Sequence, residues 1–114
     1  MESKQLLEIA AKACDDKQAQ DLIALDMREV SLISDYFLIC HGNNERQVDA
    51  ISKAIKDAVE EHGLEVKKIE GKDQSRWVLV DLDDVVVHIF HKEERAYYNL
   101  EKLWGDADQV SLPV

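Results

Sequence analysis

The run Trp77-Val78-Leu79-Val80-Asp81-Leu82-Asp83-Asp84-Val85-Val86-Val87-His88-Ile89-Phe90 decides the fold. Two β-rich segments are separated by only Asp83-Asp84, the spacing of a two-residue hairpin. Asp-Asp is a weaker turn pair than Asn-Gly, because the first position of a type I′ turn needs a positive φ. If Leu82 pairs with Val85, then Val80 lies opposite Val87 and Val78 opposite Ile89. That face is wholly aliphatic and must be core. The other face sets Trp77 opposite Phe90, Leu79 opposite His88 and Asp81 opposite Val86. A core has no need of this mixture, so function is sought on that face.

Upstream of the hairpin, Gly71 to Ser75 reads as a polar loop, and Leu64-Glu65-Val66 alternates until Lys68-Ile69 breaks the parity. Before it, Val48, Ile51, Ile55, Ala58 and Val59 form one apolar helical stripe. Asn44 is placed to cap that helix, with Gln47 closing a capping box and Gly63 stopping it. Two further β-like runs cover 21–27 and 33–41. Residues 4–14 read as a helix, with Leu6, Leu7, Ala10, Ala13 and Cys14 recurring at helical spacing and Ser3 as N-cap. Downstream, an amphipathic helix is expected from Glu93 to Trp104, stopped by Gly105. The order α-β-β-α-β-β-β-α predicts an α/β (α+β) fold, one mixed sheet flanked by helices. A single domain is expected over residues 1–107, with a disordered tail over 108–114.

The length of 114 residues allows one domain. Apolar residues make up 46% and charged residues 33%, an ordinary globular composition. Cys14 and Cys40 form no CxxC and fit a reducing cytoplasm. No apolar run approaches the roughly 20 residues of a membrane helix, and no signal peptide is evident, so a soluble cytoplasmic chain is expected. Twenty-four acids against fourteen bases give a net charge of −10, which repels phosphate backbones and suits a basic protein partner instead.

Several constellations bear on chemistry. Asp81 and His88 lie on a diagonal of the mixed face, within hydrogen-bond reach, but no Ser or Cys nucleophile accompanies them. Asp81 and Asp83 could hold Mg²⁺ for nucleotidyl transfer, although acids are common in turns for local reasons. Gly42-Asn43-Asn44 lacks a P-loop lysine, and the histidines show no metal-binding spacing. Of the seven aromatic residues, five (Trp77, Phe90, Tyr97, Tyr98 and Trp104) fall after residue 76. Trp, Tyr and Arg dominate protein–protein hot spots. A partner-binding surface is therefore expected from Trp77, Leu79, His88, Phe90, Tyr98 and Trp104. Asp81, Arg95 and Glu101 would orient neighbours or pair across it.

Larger motifs run through nearly the whole chain: Ser34-Asp35-Tyr36-Phe37-Leu38-Ile39 with Gly42-Asn43, Arg46-Gln47-Val48, Glu70-Gly71, Trp77 to Asp81, Asp84 to Phe90, then Arg95, Tyr98, Leu100-Glu101 and Leu103-Trp104. In order and number they resemble the Iojap/RsfS family of ribosomal silencing factors. The resemblance implies a nucleotidyltransferase-like fold without the catalytic signature, hence no enzyme and no cofactor. It implies binding to large-subunit ribosomal protein fourteen at the intersubunit face of the large ribosomal subunit. Small-subunit joining would be blocked there, and translation lowered when nutrients are scarce. Family members are similar in forming homodimers off the ribosome. Two positions depart from the pattern: Asp83 stands where the family has glycine, and Cys40-His41 replaces a pair of small residues. The competing readings are a divergent Mg²⁺-dependent nucleotidyltransferase using Asp81 and Asp83, and a homodimeric scaffold whose seam is the same aromatic patch.

Overall fold

The structure, a computed structural model, describes residues 1–98 and 107–114, with residues 96–98 described by their backbone. The elements are α1 (Ser3–Asp16), β1 (Gln20–Asp26), β2 (Tyr36–Gly42), α2 (Glu45–Glu61), β3 (Lys68–Glu70), β4 (Trp77–Asp81), β5 (Val85–His91), α3 (Lys92–Tyr98) and β6 (Asp108–Val110). Among the described residues the strands form one sheet in the order β3-β4-β5-β2-β1-β6. The β2–β5 pair is parallel and the other four are antiparallel. This is the mixed sheet flanked by helices that the sequence predicts.

The hairpin has the expected register, with Trp77 opposite Phe90, Leu79 opposite His88 and Val80 opposite Val87. Strand β5 lies inside the sheet, between β4 and β2, and all but one of its residues are buried, hence its near-continuous apolar run. On one face, Val78, Val80, Val87, Ile89, Leu38 and Cys40 meet Leu7, Ala10 and Cys14 of α1 and Val48, Ile51, Ile55 and Val59 of α2. The helices use their predicted stripes. Asn44 Oδ1 accepts the Gln47 N–H at 2.8 Å, which starts α2 as expected. Gln47 does not return the bond to Asn44; its Oε1 accepts the Asn43 N–H, and its amide donates to the Lys17 and Gln18 carbonyls. Helix α1 starts one residue earlier than read, capped at Glu2 rather than Ser3.

Two expectations change, and a third falls outside the described residues. Strand β2 begins at Tyr36 rather than Ile33, because Ser31 Oγ accepts the Ile33 and Ser34 N–H groups and turns that segment out of the sheet. Leu32 and Ile33 are left exposed. The tail from 108 is not wholly disordered, since Asp108–Val110 pairs antiparallel with β1, Ala24 opposite Val110. The cause is the free edge of β1, together with Val110 and Leu112, which pack against the core. The final helix is described only from Lys92 to Tyr98; its expected continuation to Trp104 lies outside the described residues.

Candidate functional site: the second sheet face and the Trp77 cleft

The second face of the sheet carries a smaller apolar cluster of Leu25, Met27, Ile39 and Phe90, with Ile23, Phe37 and Trp77 packed at its margin. Alternation along β4 and β5 puts Trp77, Leu79, His88 and Phe90 together here, as the hairpin register requires. Parallel pairing with β2 adds Phe37, whose ring meets His88 edge to face at 4.9 Å. Sequence reasoning missed this neighbour, because only the β2–β5 pairing brings it in.

Trp77 is half-buried. Its ring lies 4.9 Å from that of Phe90, and its indole Nε1–H donates to His88 Nδ1 at 3.2 Å. The β3–β4 loop returns tightly beneath it. Gly71 has φ +83°, and a Cβ there would stand 2.2 Å from the Trp77 carbonyl oxygen, so only glycine fits. Gly71, Asp73, Gln74, Arg76, Trp77 and Glu94 line a cleft of about 500 Å³. Arg76 is drawn to three carboxylates: Glu94 at 2.9 Å, Glu93 at 3.1 Å and Glu45 at 3.4 Å. The Glu94 and Glu93 bonds raise the Arg76 pKa, and the guanidinium lowers that of Glu93. Acids outnumber this cation around the cleft.

The expected site residues separate by position. Trp77 and Leu79 are half-buried on the open side of β4 and reach solvent. Phe90 is fully buried and His88 is 6% exposed, so both rings lie beneath the surface rather than on it. Burial alone lowers the His88 pKa to about 4, which keeps the ring neutral. Asp81 does not join His88. Its Oδ1 accepts the Asp83 N–H at 2.8 Å, while Trp77 takes the imidazole nitrogen. Arg95 is buried, and its Nη1 reaches the Gln20 carbonyl at 3.3 Å and His41 Nδ1 at 3.1 Å. Tyr98 is the last described residue of α3 and is described by its backbone, and Glu101 and Trp104 lie outside the described residues.

Nothing assembles a metal centre from Asp81 and Asp83. The first is engaged by the turn, and the second lies 3.6 Å from Lys67 Nζ. Among the described residues no group of three His, Cys, Asp or Glu side chains converges to hold a metal ion, and no helix is long and apolar enough to cross a membrane. Arg76 was also missed by sequence reasoning. Its only local signal is its position beside Trp77 at the start of β4.

Known proteins of similar sequence and shape give the fold a context. Residues 1–114 match the family described as "Ribosomal silencing factor during starvation". The "Ribosomal silencing factor RsfS" of Bacillus subtilis is 64% identical over 112 residues, covering 98% of this chain and 95% of that protein. A crystal structure of a Bacillus halodurans protein superposes with a TM-score of 0.86 at 56% identity, covering 96% of this chain and 99% of the other. More distantly, the mouse "Mitochondrial assembly of ribosomal large subunit protein 1" is 31% identical over 91 residues, 77% of this chain and 40% of that protein. A match over its whole length, with the same fold in a close relative, establishes that the chain belongs to the family of ribosomal silencing factors.

Proposed function

We propose that this chain lowers translation by occlusion. It binds large-subunit ribosomal protein fourteen on the large ribosomal subunit and covers the surface that the small subunit must meet. No bond is made or broken, and no cofactor is needed. The full-length family match carries the reading, and the names of relatives that refer to the ribosome and its large subunit support it. The net charge of −10 and the carboxylates around the Trp77 cleft suit a basic ribosomal protein rather than bare RNA. In this reading Trp77 and Leu79 supply contact area, together with Tyr98 and Trp104, and Glu101 pairs across the seam. A complex of standard size would bury roughly 1,200–2,000 Å². Off the ribosome, in the cytoplasm, the same face would form a homodimer.

Co-sedimentation with isolated large and small subunits at two salt concentrations tests this. The chain is expected to travel with large subunits only, less so at higher salt, and to impair joining when small subunits are added. Trp77→Ala and Trp104→Ala should each weaken binding at least tenfold, about 1.4 kcal/mol, while leaving a cooperative melt. Absence of the wild-type chain from the large-subunit fraction at both salts would sink the proposal.

A further inference from the structure

Among the described residues, one buried side-chain atom has no hydrogen-bond partner: Nε2 of His88. The ring sits in β5 with Phe37 edge to face at 4.9 Å and Phe90 nearly parallel at 6.4 Å. Its Nδ1 accepts the Trp77 indole proton. An accepting nitrogen carries no hydrogen, so in the neutral ring the proton resides on Nε2. That places an unpaired donor in the interior, which costs about 1–3 kcal/mol. A phenylalanine at this position would fill the same aromatic layer without the penalty, so packing does not explain the histidine. What an imidazole supplies and a phenyl ring cannot is an acceptor for the indole N–H.

We propose that His88 is a positioning residue for partner recognition: by accepting the Trp77 indole proton from inside the sheet, it locks the orientation of that ring beside the cleft that Trp77 helps to line. This rests on the reading of Trp77 as a contact to the ribosomal partner. Two consequences follow from the geometry. The indole N–H is spent internally, so the partner meets ring surface and takes no hydrogen bond from Nε1. The lock also requires a neutral imidazole. Burial is the one cause of the lowered His88 pKa, with no charged partner acting on the ring; Asp81 of β4 bonds to the Asp83 N–H, and Arg95 of α3 to Gln20 and His41.

Three variants of the whole chain and three readouts test the proposal. His88→Phe keeps the bulk and removes the acceptor. His88→Asn restores an acceptor near the Nδ1 position at the expense of packing. Trp77→Phe identifies the indole signal in ¹H–¹⁵N spectra by its loss. In His88→Phe the Trp77 indole proton is expected to shift and to exchange faster, and large-subunit binding to weaken about tenfold, although the melting temperature does not fall. His88→Asn should recover the indole signal and most of the binding despite a lower melting temperature, an order that a purely structural role would not give. In the wild type the indole signal should stay constant from pH 8 and move only as pH approaches about 4. An unchanged indole signal in His88→Phe would overturn the proposal, whether or not the chain binds ribosomes. Wild-type binding by His88→Phe, with Trp77→Ala impaired, would overturn it too and leave the reading of Trp77 as a contact standing. Wild-type binding by Trp77→Ala would remove that reading, and this proposal with it.

Discussion

Asp83 sits where the turn least tolerates a side chain. Its φ is +76°, and the Asp84 N–H donates to the Leu82 carbonyl at 3.1 Å, closing a three-residue γ-turn around it. Positive φ strains any residue with a Cβ by about 1–3 kcal/mol, partly offset here by the bond from its own N–H to Asp81 Oδ1. Asp83→Gly relieves the strain and loses some rigidity in the unfolded chain. The net expectation is a gain of about 1 kcal/mol, read as roughly 4 °C in the melting midpoint. A lower midpoint would show that the exposed Lys67–Asp83 pair and the added freedom of the unfolded chain outweigh the strain. His88 makes a second prediction. Its pKa is about 4 in the fold against 6.5 when solvated, so between those values the unfolded chain holds a proton that the folded chain refuses. The contribution is complete above pH 6.5, falls as pH drops through the window by up to about 3 kcal/mol, and levels off below 4. Denaturant unfolding of wild type and His88→Phe should diverge across that window, and a constant difference from pH 7 to 4 would contradict it. Cys14 offers a third instance of environment acting on chemistry. The neighbouring Cys40 thiol and burial push its pKa well up, leaving it a packed hydrophobe and a poor nucleophile.

At the scale of elements, helix α2 shows how far local signals reach. Its stripe of Val48, Ile51, Ile55 and Val59 is read directly from spacing, and so is its cap. Asn44→Ala should lower stability by about 1 kcal/mol, measured in urea melts without a change in slope; no shift in midpoint would mean that the Asn43–Gln47 bond is sufficient. The strands divide differently. The register of β4 and β5 was legible because two residues of separation and strict alternation permit one pairing. The start of β2 was not, because Leu32-Ile33 is apolar and β-forming while Ser31 Oγ captures the two backbone donors that would have extended the strand. Strand β6 escaped notice for a related reason. Three residues carry little periodicity, and their pairing depends on an edge built some eighty positions earlier in the chain.

For the whole molecule, the order β3-β4-β5-β2-β1-β6 puts β5 and β2 between two apolar layers and leaves β3 and β6 at the edges. The edge β3 is guarded by the exposed pair of Lys68 and Glu70 at 2.9 Å, whereas β1 is guarded by β6 itself. Deleting residues 108–114 would bare the β1 edge and remove the packing of Val110 and Leu112. A loss of about 2 kcal/mol is expected, with growth of larger species by light scattering. A truncated chain that melts and scatters like the full one would show that β6 protects nothing. Much of this architecture was written in the sequence: the fold class, the hairpin register, the two helical stripes and the family motifs. All of these are carried by neighbours within a few residues or by motif order along the chain. The tertiary structure alone decided that the His88 nitrogen goes to Trp77 rather than Asp81, that Phe90 is core, that Arg76 gathers Glu45, Glu93 and Glu94, and that Arg95 closes on Gln20, 75 positions away. Such contacts join segments with no shared local pattern, and each is chosen by which side chains the parallel β2–β5 pairing and the placement of α3 bring within about 3 Å of one another.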